Sequence, residues 1–391
     1  MEKKKISVWT LVVAVLLTAA LTLGAVFAGL CIFAGGVGNL ERGAKLTQIL
    51  HVLDSKFVEE PDLDKAVDAA AAGMIESLDD RWSYYMTAEQ YQSYTQRTQN
   101  RYRGIGVTVA ACDEGFALVD VSRDTPAYEA GLLPGEKLLR IDGEELAGWT
   151  TQQLQEKIQS YEDKSFTLTV QNEAGEQREV TLSMATVYSS PVSYELLGST
   201  GYIVLKNFSA GCADDAIAAV QELMEQGAQA LVFDVRYNGG GYVHELTALL
   251  DYLLPEGDIF VSRSRDGEET VTTSDANCID LPMAVLINAD SYSAAELFAA
   301  QLSEFGAAVT VGEATTGKGR SQVSYTLMDG SAVHISHEAY LTSQRRDLAA
   351  EGGIQPDIPV ELTEQEKTEL YYKILPQDED AQLQAALEAV R

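Results

Sequence analysis

The sequence predicts an α/β protein. A mostly-β module sits between a helical N-terminal region and an alternating strand–helix core, and one apolar segment precedes them all. Three observations carry this prediction. An uncharged stretch runs from Ile6 to Leu40 behind Lys3, Lys4 and Lys5. From Gly104, short strand-like runs follow one another, split by Gly, Asp and Asn turns. After about Tyr188 the pattern becomes strand–turn–helix units, as in a layered α/β core.

The apolar stretch exceeds the roughly 20 residues that span a bilayer. A cleaved signal has a shorter apolar core and a small-x-small site, so a signal anchor is expected. The lysines stay cytoplasmic by the positive-inside bias and the rest lies outside. Cys31 follows Leu30, which argues against lipoprotein processing. Residues 41–99 repeat apolar positions at three and four, the helical period, in "LTQILHVLDSKFVEE", "DKAVDAAAAGMIESLDD" and "TAEQYQSYTQRTQ".

The β-rich stretch contains "GIGVTVAA", "GFALVDVS", "EKLLRIDG", "SFTLTVQN" and "REVTLSM", with one helix, "TTQQLQEKIQSY". Beyond it, "GYIVLKNF", "ALVFDVR", "MAVLINAD" and "AAVTVGE" read as strands. "ADDAIAAVQELMEQG", "YVHELTALLDYLL" and "AAELFAAQLSEFG" read as helices, and two more close the chain. The expected division is 1–40 for the lysines and membrane segment, 41–102 for the helical region and 103–187 for the β module. The α/β core follows over 188–362 and the closing helices over 363–391.

At 391 residues and 46% hydrophobic content, the chain can bury more than one core. A net charge of −31 excludes nucleic acid as a partner, because a phosphate backbone would be repelled. Cys112, Cys212 and Cys278 form no CxxC pair and cannot all pair with one another, so buried free thiols are expected.

Several motifs carry chemistry on one reading and none on another. "GEATTGKG" (312–319) nearly matches a phosphate-binding loop, but Gly319 stands where Ser or Thr must reach magnesium. "HELTA" (244–248) has Ala248 where a zinc helix needs its second histidine, and "HISHE" (334–338) lies in a strand-like run. No metal site is expected. "DSYSAAELFAAQL" (290–302) puts Ser293 at a strand-to-helix corner, where it is either a nucleophile or half of a Ser-x-x-Glu capping box. Lys318, between two glycines, is either a base made neutral by burial or a solvated loop tip. The glycines of "DVRYNGGG" (234–241) either form an anion-binding nest or merely connect a strand to a helix.

Together these segments resemble the C-terminal processing peptidases, the tail-specific serine proteases. "DDRWSYYM" (79–86) is similar to the family's Asp-Pro-x-Ser-x-Tyr stretch, with Asp80 and Arg81 in its proline setting. "RGIGVTV" (103–109) and "DTPAYEAGLLPGEKLLRIDGEEL" (124–146) resemble a PDZ carboxylate-binding loop and signature. "GYIVLKNF" and "DVRYNGGG" resemble the opening of the protease core, with Gly239 in place of a proline. "SYSAAELFAAQL" resembles the family's nucleophile block, "VGEATTGKGRSQ" (311–322) its lysine block and "EGGIQPDIPV" (351–360) its closing motif.

The resemblance implies a crotonase/ClpP-like α/β protease core with an inserted PDZ domain. It implies Ser293 as nucleophile and Lys318, 25 residues on, as general base. Gln322 would hold the lysine, and Gly240 and Ala294 would supply the oxyanion N–H groups. Gly104, Ile105, Gly106 and Val107 would bind a peptide C-terminus. Protein substrates with free C-termini, no cofactor and a homodimer built on the helical termini complete the expectation, in a bacterial cell envelope. A non-catalytic PDZ scaffold would show a broken dyad, whereas both residues are present. A Ser-His hydrolase would need His244, His334 or His337 beside Ser293.

Overall fold

The computed structural model describes residues 7–391, so Lys3, Lys4 and Lys5 lie outside the described residues. Contacts divide the chain after Tyr85. The first unit is helical: α1 (Val8–Phe33), α2 (Val37–Lys56) and α3 (Leu63–Glu76), with the short strand β1 (Tyr84–Met86) at the division. The uncharged stretch is not one helix. Gly35 and Gly36, at φ 72° and 123°, break it before α2 begins. α1 alone has a mean hydropathy of 2.5 and enough length to cross a membrane. In α2 and α3 the apolar side chains of Ile49, Val52, Val67 and Met74 are exposed.

The second unit opens with α4 (Ala88–Thr98), started by a capping box between Thr87 and Gln90. β2 (Arg101–Gly104) then leads into the β-rich module. This comprises β3 (Val107–Cys112), β4 (Gly115–Val121), α5 (Pro126–Glu129), β5 (Lys137–Ile141), β6 (Glu144–Glu145), α6 (Thr151–Gln159), β7 (Phe166–Gln171) and β8 (Gln177–Leu182). The sheet runs β3-β4-β5-β7-β8, with β6 beside β5. Alternation along β7 turns Phe166, Leu168 and Val170 inward, where Phe116, Leu138, Ile141 and Leu154 complete the core. β9 (Ala185–Tyr188) leaves the module antiparallel to β2, from Gly104↔Ala185 to Arg101↔Tyr188.

The remainder comprises β10 (Val192–Leu197), β11 (Thr200–Leu205), α7 (Cys212–Glu225), β12 (Ala230–Asp234), α8 (Val243–Leu253), β13 (Gly257–Arg263), β14 (Glu269–Ser274), β15 (Met283–Ile287) and α9 (Ala294–Glu304). β16 (Ala308–Gly312), β17 (Arg320–Thr326), β18 (Ala332–Leu341), α10 (Leu348–Glu351), β19 (Ile358–Pro359), α11 (Glu364–Tyr371) and α12 (Ala381–Ala389) follow. The main sheet runs β10-β11-β12-β15-β16-β19, antiparallel for its first pair and parallel thereafter. Every residue of β12 and β15 is buried, as parallel strands covered on both faces require. α7, α8 and α9 cover one face and α12 the other. A second sheet joins β17, β18, β13 and β14.

The sequence did not disclose β10, β13 or β14. β14, "ETVTTS", is almost wholly exposed and carries no apolar alternation, while β13 buries four residues in a row. The cysteine expectation needs correction. Only Cys212 of the three is buried; Cys112 ends β3 half-exposed, and Cys278 is exposed in the connection before β15. The glutamate of "HELTA" has a structural task. Glu245 accepts from Gly211 N–H (2.7 Å) and Ala213 N–H (2.8 Å), satisfying the start of α7.

The C-terminal layer is fixed by a buried ion cluster. The Arg236 side chain, 1% exposed, donates Nη2 to Asp234 Oδ2 (2.6 Å) and Asp380 Oδ2 (2.8 Å), and Nη1 to Gln382 Oε1 (3.0 Å). Tyr202 adds its hydroxyl to Asp234 at 2.7 Å. Asp380 also accepts from the N–H groups of Gln382 and Leu383, so it caps α12 and neutralises the arginine together. Asp380→Ala is expected to lower stability by about 3 kcal/mol, since it strips a buried cation of one partner. Urea unfolding of the purified variant measures this.

Candidate functional site

The parallel strands deliver their C-terminal ends to one crevice, where α/β sheets place their chemistry. Three connections meet there: 235–242 after β12, 288–293 after β15 and 313–319 after β16. Ser291 Oγ donates to Val235 O at 2.7 Å, and Tyr292 N–H donates to Asn238 O at 3.1 Å. Asn288 Oδ1 accepts from Tyr237 N–H at 3.0 Å. These bonds pin the corner before α9 to the glycine-rich connection.

Ser293 then takes φ 62° and ψ −123°. A non-glycine backbone held in so sparsely populated a conformation costs about 1–3 kcal/mol, and such residues concentrate at functional sites. The capping-box arrangement is present, and its firm half is Glu296 Oε2 accepting from Ser293 N–H at 3.1 Å.

Glu296 does more than close that box. It is fully buried, and its carboxylate also accepts from Thr315 Oγ1 (2.5 Å), Gly317 N–H (2.6 Å) and Lys318 N–H (2.9 Å). One carboxylate therefore holds the backbone of Ser293 and the backbone of Lys318. A buried charge is tolerated only with such partners, and here every recorded partner is a donor.

Lys318 is 8% exposed, which removes the solvated-tip reading. Its Nζ lies 5.9 Å from the centroid of the Tyr292 ring. The tight packing depends on Gly317: at φ 79°, a Cβ there would stand 2.7 Å from Gly353 N. Gln322, on β17, donates Nε2 to Arg320 O (2.8 Å) and Ser336 Oγ (3.1 Å), leaving its carbonyl oxygen as the atom able to face an ammonium.

His334 sits near the lysine. Its Nδ1 is 2.8 Å from Ser324 Oγ across the β17–β18 pair, and its ring lies 5.5 Å from that of Tyr94. Burial, reinforced by the Lys318 charge, lowers its pKa from 6.5 to about 4. His337 is hydrogen-bonded to Tyr325, and exposed His244 stacks on Tyr242.

On the opposite wall Gly240 (φ 85°) lies so close that a Cβ would be 2.8 Å from Ala294 N and from Ser293 Cβ. Its own N–H donates to Asn238 Oδ1 at 2.8 Å, so that donor is committed within the loop. Its carbonyl accepts from Phe208 N–H at 2.9 Å.

Gly104 ends β2, Ile105 and Gly106 make the connection, and Val107 opens β3. The first three are buried and Val107 is half-buried. Ile105 O accepts from Ala127 N–H and Gly106 O from Ser122 N–H, each at 2.9 Å. β3 ends its sheet, with β4 on one side and α6 packed nearby.

Sequence reasoning missed Asn238 and the reach of Glu296. A signal for the second was present: Glu296 opens a run of apolar residues, and a carboxylate on a helix of that kind must find donors elsewhere.

Residues 199–360 match peptidase family S41, residues 118–172 a PDZ domain and residues 35–90 the N-terminal domain of the activating protease CtpB. A CtpA-like serine protease of Staphylococcus aureus (strain COL) is 26% identical over 321 residues, 81% of this chain and 64% of that one. A counterpart from Staphylococcus epidermidis (strain ATCC 12228 / FDA PCI 1200) is 25% identical over 329 residues, 82% of this chain and 67% of its own. This chain thus spans about two-thirds of the length of those relatives. Among solved structures, an S41 protease from Bacteroides fragilis NCTC 9343 superposes with a TM-score of 0.54 at 18% identity, over 87% of this chain and 96% of that one. The likeness is one of fold, over most of this chain.

Glu296→Gln would turn an amide NH2 toward groups that are all donors. Stability should fall by about 2 kcal/mol, the cost of leaving buried donors unsatisfied, measured as a shift of the urea midpoint. His334 gives a pH signature. Its folded pKa lies below its unfolded one, so between pH 6.5 and about 4 the unfolded chain binds more protons and stability falls as pH falls. His334→Gln should flatten the melting temperature across that window, measured by scanning calorimetry at stepped pH.

Proposed function

We propose that this chain, whose residues 199–360 match peptidase family S41, is a serine endopeptidase with a Ser293–Lys318 dyad. The observation that carries the reading is the shared carboxylate of Glu296, which ties the strained serine corner and the buried lysine loop to one another. Burial favours the neutral amine that a lysine base needs. Neutral Lys318 takes the proton from Ser293 Oγ, which attacks the scissile carbonyl. The leaving amine departs with a proton returned by Lys318, and water then releases the acyl-enzyme.

The oxyanion is assigned first to Ala294 N–H, at the start of α9, where the helix dipole adds positive potential. Gly240 is the second donor, and it serves only once its N–H leaves Asn238 Oδ1. Gln322 orients the lysine through its carbonyl oxygen. No metal or organic cofactor takes part.

Substrates are protein chains with free C-termini. A tail adds as a strand beside the outer edge of β3, with its carboxylate at the backbone of Gly104, Ile105, Gly106 and Val107. α1 anchors the chain in the membrane with Lys3, Lys4 and Lys5 on the cytoplasmic side, and the catalytic part faces out into a bacterial cell envelope. The exposed apolar residues of α2 and α3 support a homodimer through the helical termini.

Cleavage of an unstructured protein by Ser293→Ala and Lys318→Ala, each assayed separately, tests the dyad. The serine variant should fall to background, and the lysine variant should lose about 10²–10⁴-fold, the worth of a positioned base. Both should bind a C-terminal peptide as the parent does, by fluorescence anisotropy. Tail binding without any cleavage by the parent would leave a PDZ scaffold, and substantial activity after the lysine change would return the base to a histidine.

A further inference from the structure

We propose that Tyr340 is a positioning residue for Lys318, an inference that rests on the dyad reading above. Tyr340 lies near the end of β18 and pairs with Ser262 of β13, so its backbone is held inside the second sheet. Its side chain is 3% exposed, and its ring centroid lies 6.4 Å from that of Phe260.

From that fixed base it grips two successive carbonyls of the lysine loop. Its N–H donates to Gly319 O at 3.1 Å, and its hydroxyl donates to Lys318 O. The same hydroxyl stands in the field of the Glu296 carboxylate.

A phenol has one proton to give. Here it goes to Lys318 O. Tyr340 thus fixes where the lysine backbone lies when the serine proton is passed on. It is no alternative base. Burial and the nearby carboxylate of Glu296 raise its pKa far above the ordinary 10.0, so it stays a neutral phenol.

Glu296 and Tyr340 divide the work. The carboxylate collects N–H groups from both blocks, while the phenol takes the lysine carbonyl.

Tyr340→Phe keeps the ring and the backbone bond to Gly319 and removes only the hydroxyl. Expected is a loss of kcat of about ten- to a hundredfold, the scale for a misplaced reacting group, with KM within about twofold. The acid limb of the kcat/KM profile should also move to higher pH, because a loosened Lys318 gains water and holds its proton longer. Active-site titration with a fluorophosphonate corrects for unfolded material, so a purely structural defect would lower the titre and leave kcat per site and the acid limb unchanged. That result would overturn the inference. Ser293→Ala, run alongside, separates the two levels: full cleavage by that variant, or none by the parent, sinks the dyad and this inference with it. An active parent, an inactive serine variant and an unaltered Tyr340→Phe sink the inference alone.

Discussion

The carboxylate of Glu296 is fully buried, and an ion in that position is tolerable only when donors replace the water it has lost. Those donors come from two segments more than twenty residues apart: the corner that carries Ser293, and the loop that carries Thr315, Gly317 and Lys318. Neither segment alone can satisfy the charge. Burying α9 against the core therefore requires the lysine loop to be docked, and the two candidate reacting residues become neighbours as a condition of folding. The strained backbone at Ser293 is paid for by the same cluster. Preorganisation here is a by-product of satisfying one anion.

A second constraint acts on the other face of the sheet. Arg236 lies two residues past the end of β12, at the start of the glycine-rich connection, and its guanidinium is shared between Asp234 and the C-terminal residues Asp380 and Gln382. α12 thereby closes over Val232, Leu286 and Val311. The connection that forms one wall of the crevice is consequently anchored from below by residues near the end of the chain. Tyr237 extends that anchoring, with its N–H on Asn288 and its hydroxyl on Lys367 O.

Much of the core was legible because burial on both faces leaves unmistakable apolar runs, as in "ALVFD" and "MAVLI". Amphipathic helices such as α7 announced themselves by period, and the β module by its Gly-punctuated alternation. β14 stayed hidden because an exposed strand has no reason to be apolar. The site was legible as residue types in order, not as bonds. Ser-x-x-Glu read as a local capping device, and it is one; the further donors on Glu296 are long-range and invisible in four residues. The expected donor Gly240 illustrates the same limit. A glycine-rich string shows that close approach is allowed, but not that Asn238, two residues earlier, claims the N–H. Cys278 failed for a simpler reason, since a lone cysteine carries no pattern that distinguishes a core from a loop.

The ribbon of β2 and β9 has an architectural consequence. The chain enters and leaves the β module through adjacent, hydrogen-bonded strands, so from the α/β core that whole module resembles a long hairpin loop. At the ribbon's base, Asn100 donates to Ala210 O and accepts from Asn207, closing the core beneath it. An insertion whose two ends already touch can be lengthened, exchanged or deleted without asking the host to move its own chain ends. The module and the sheet can then diverge on separate evolutionary clocks.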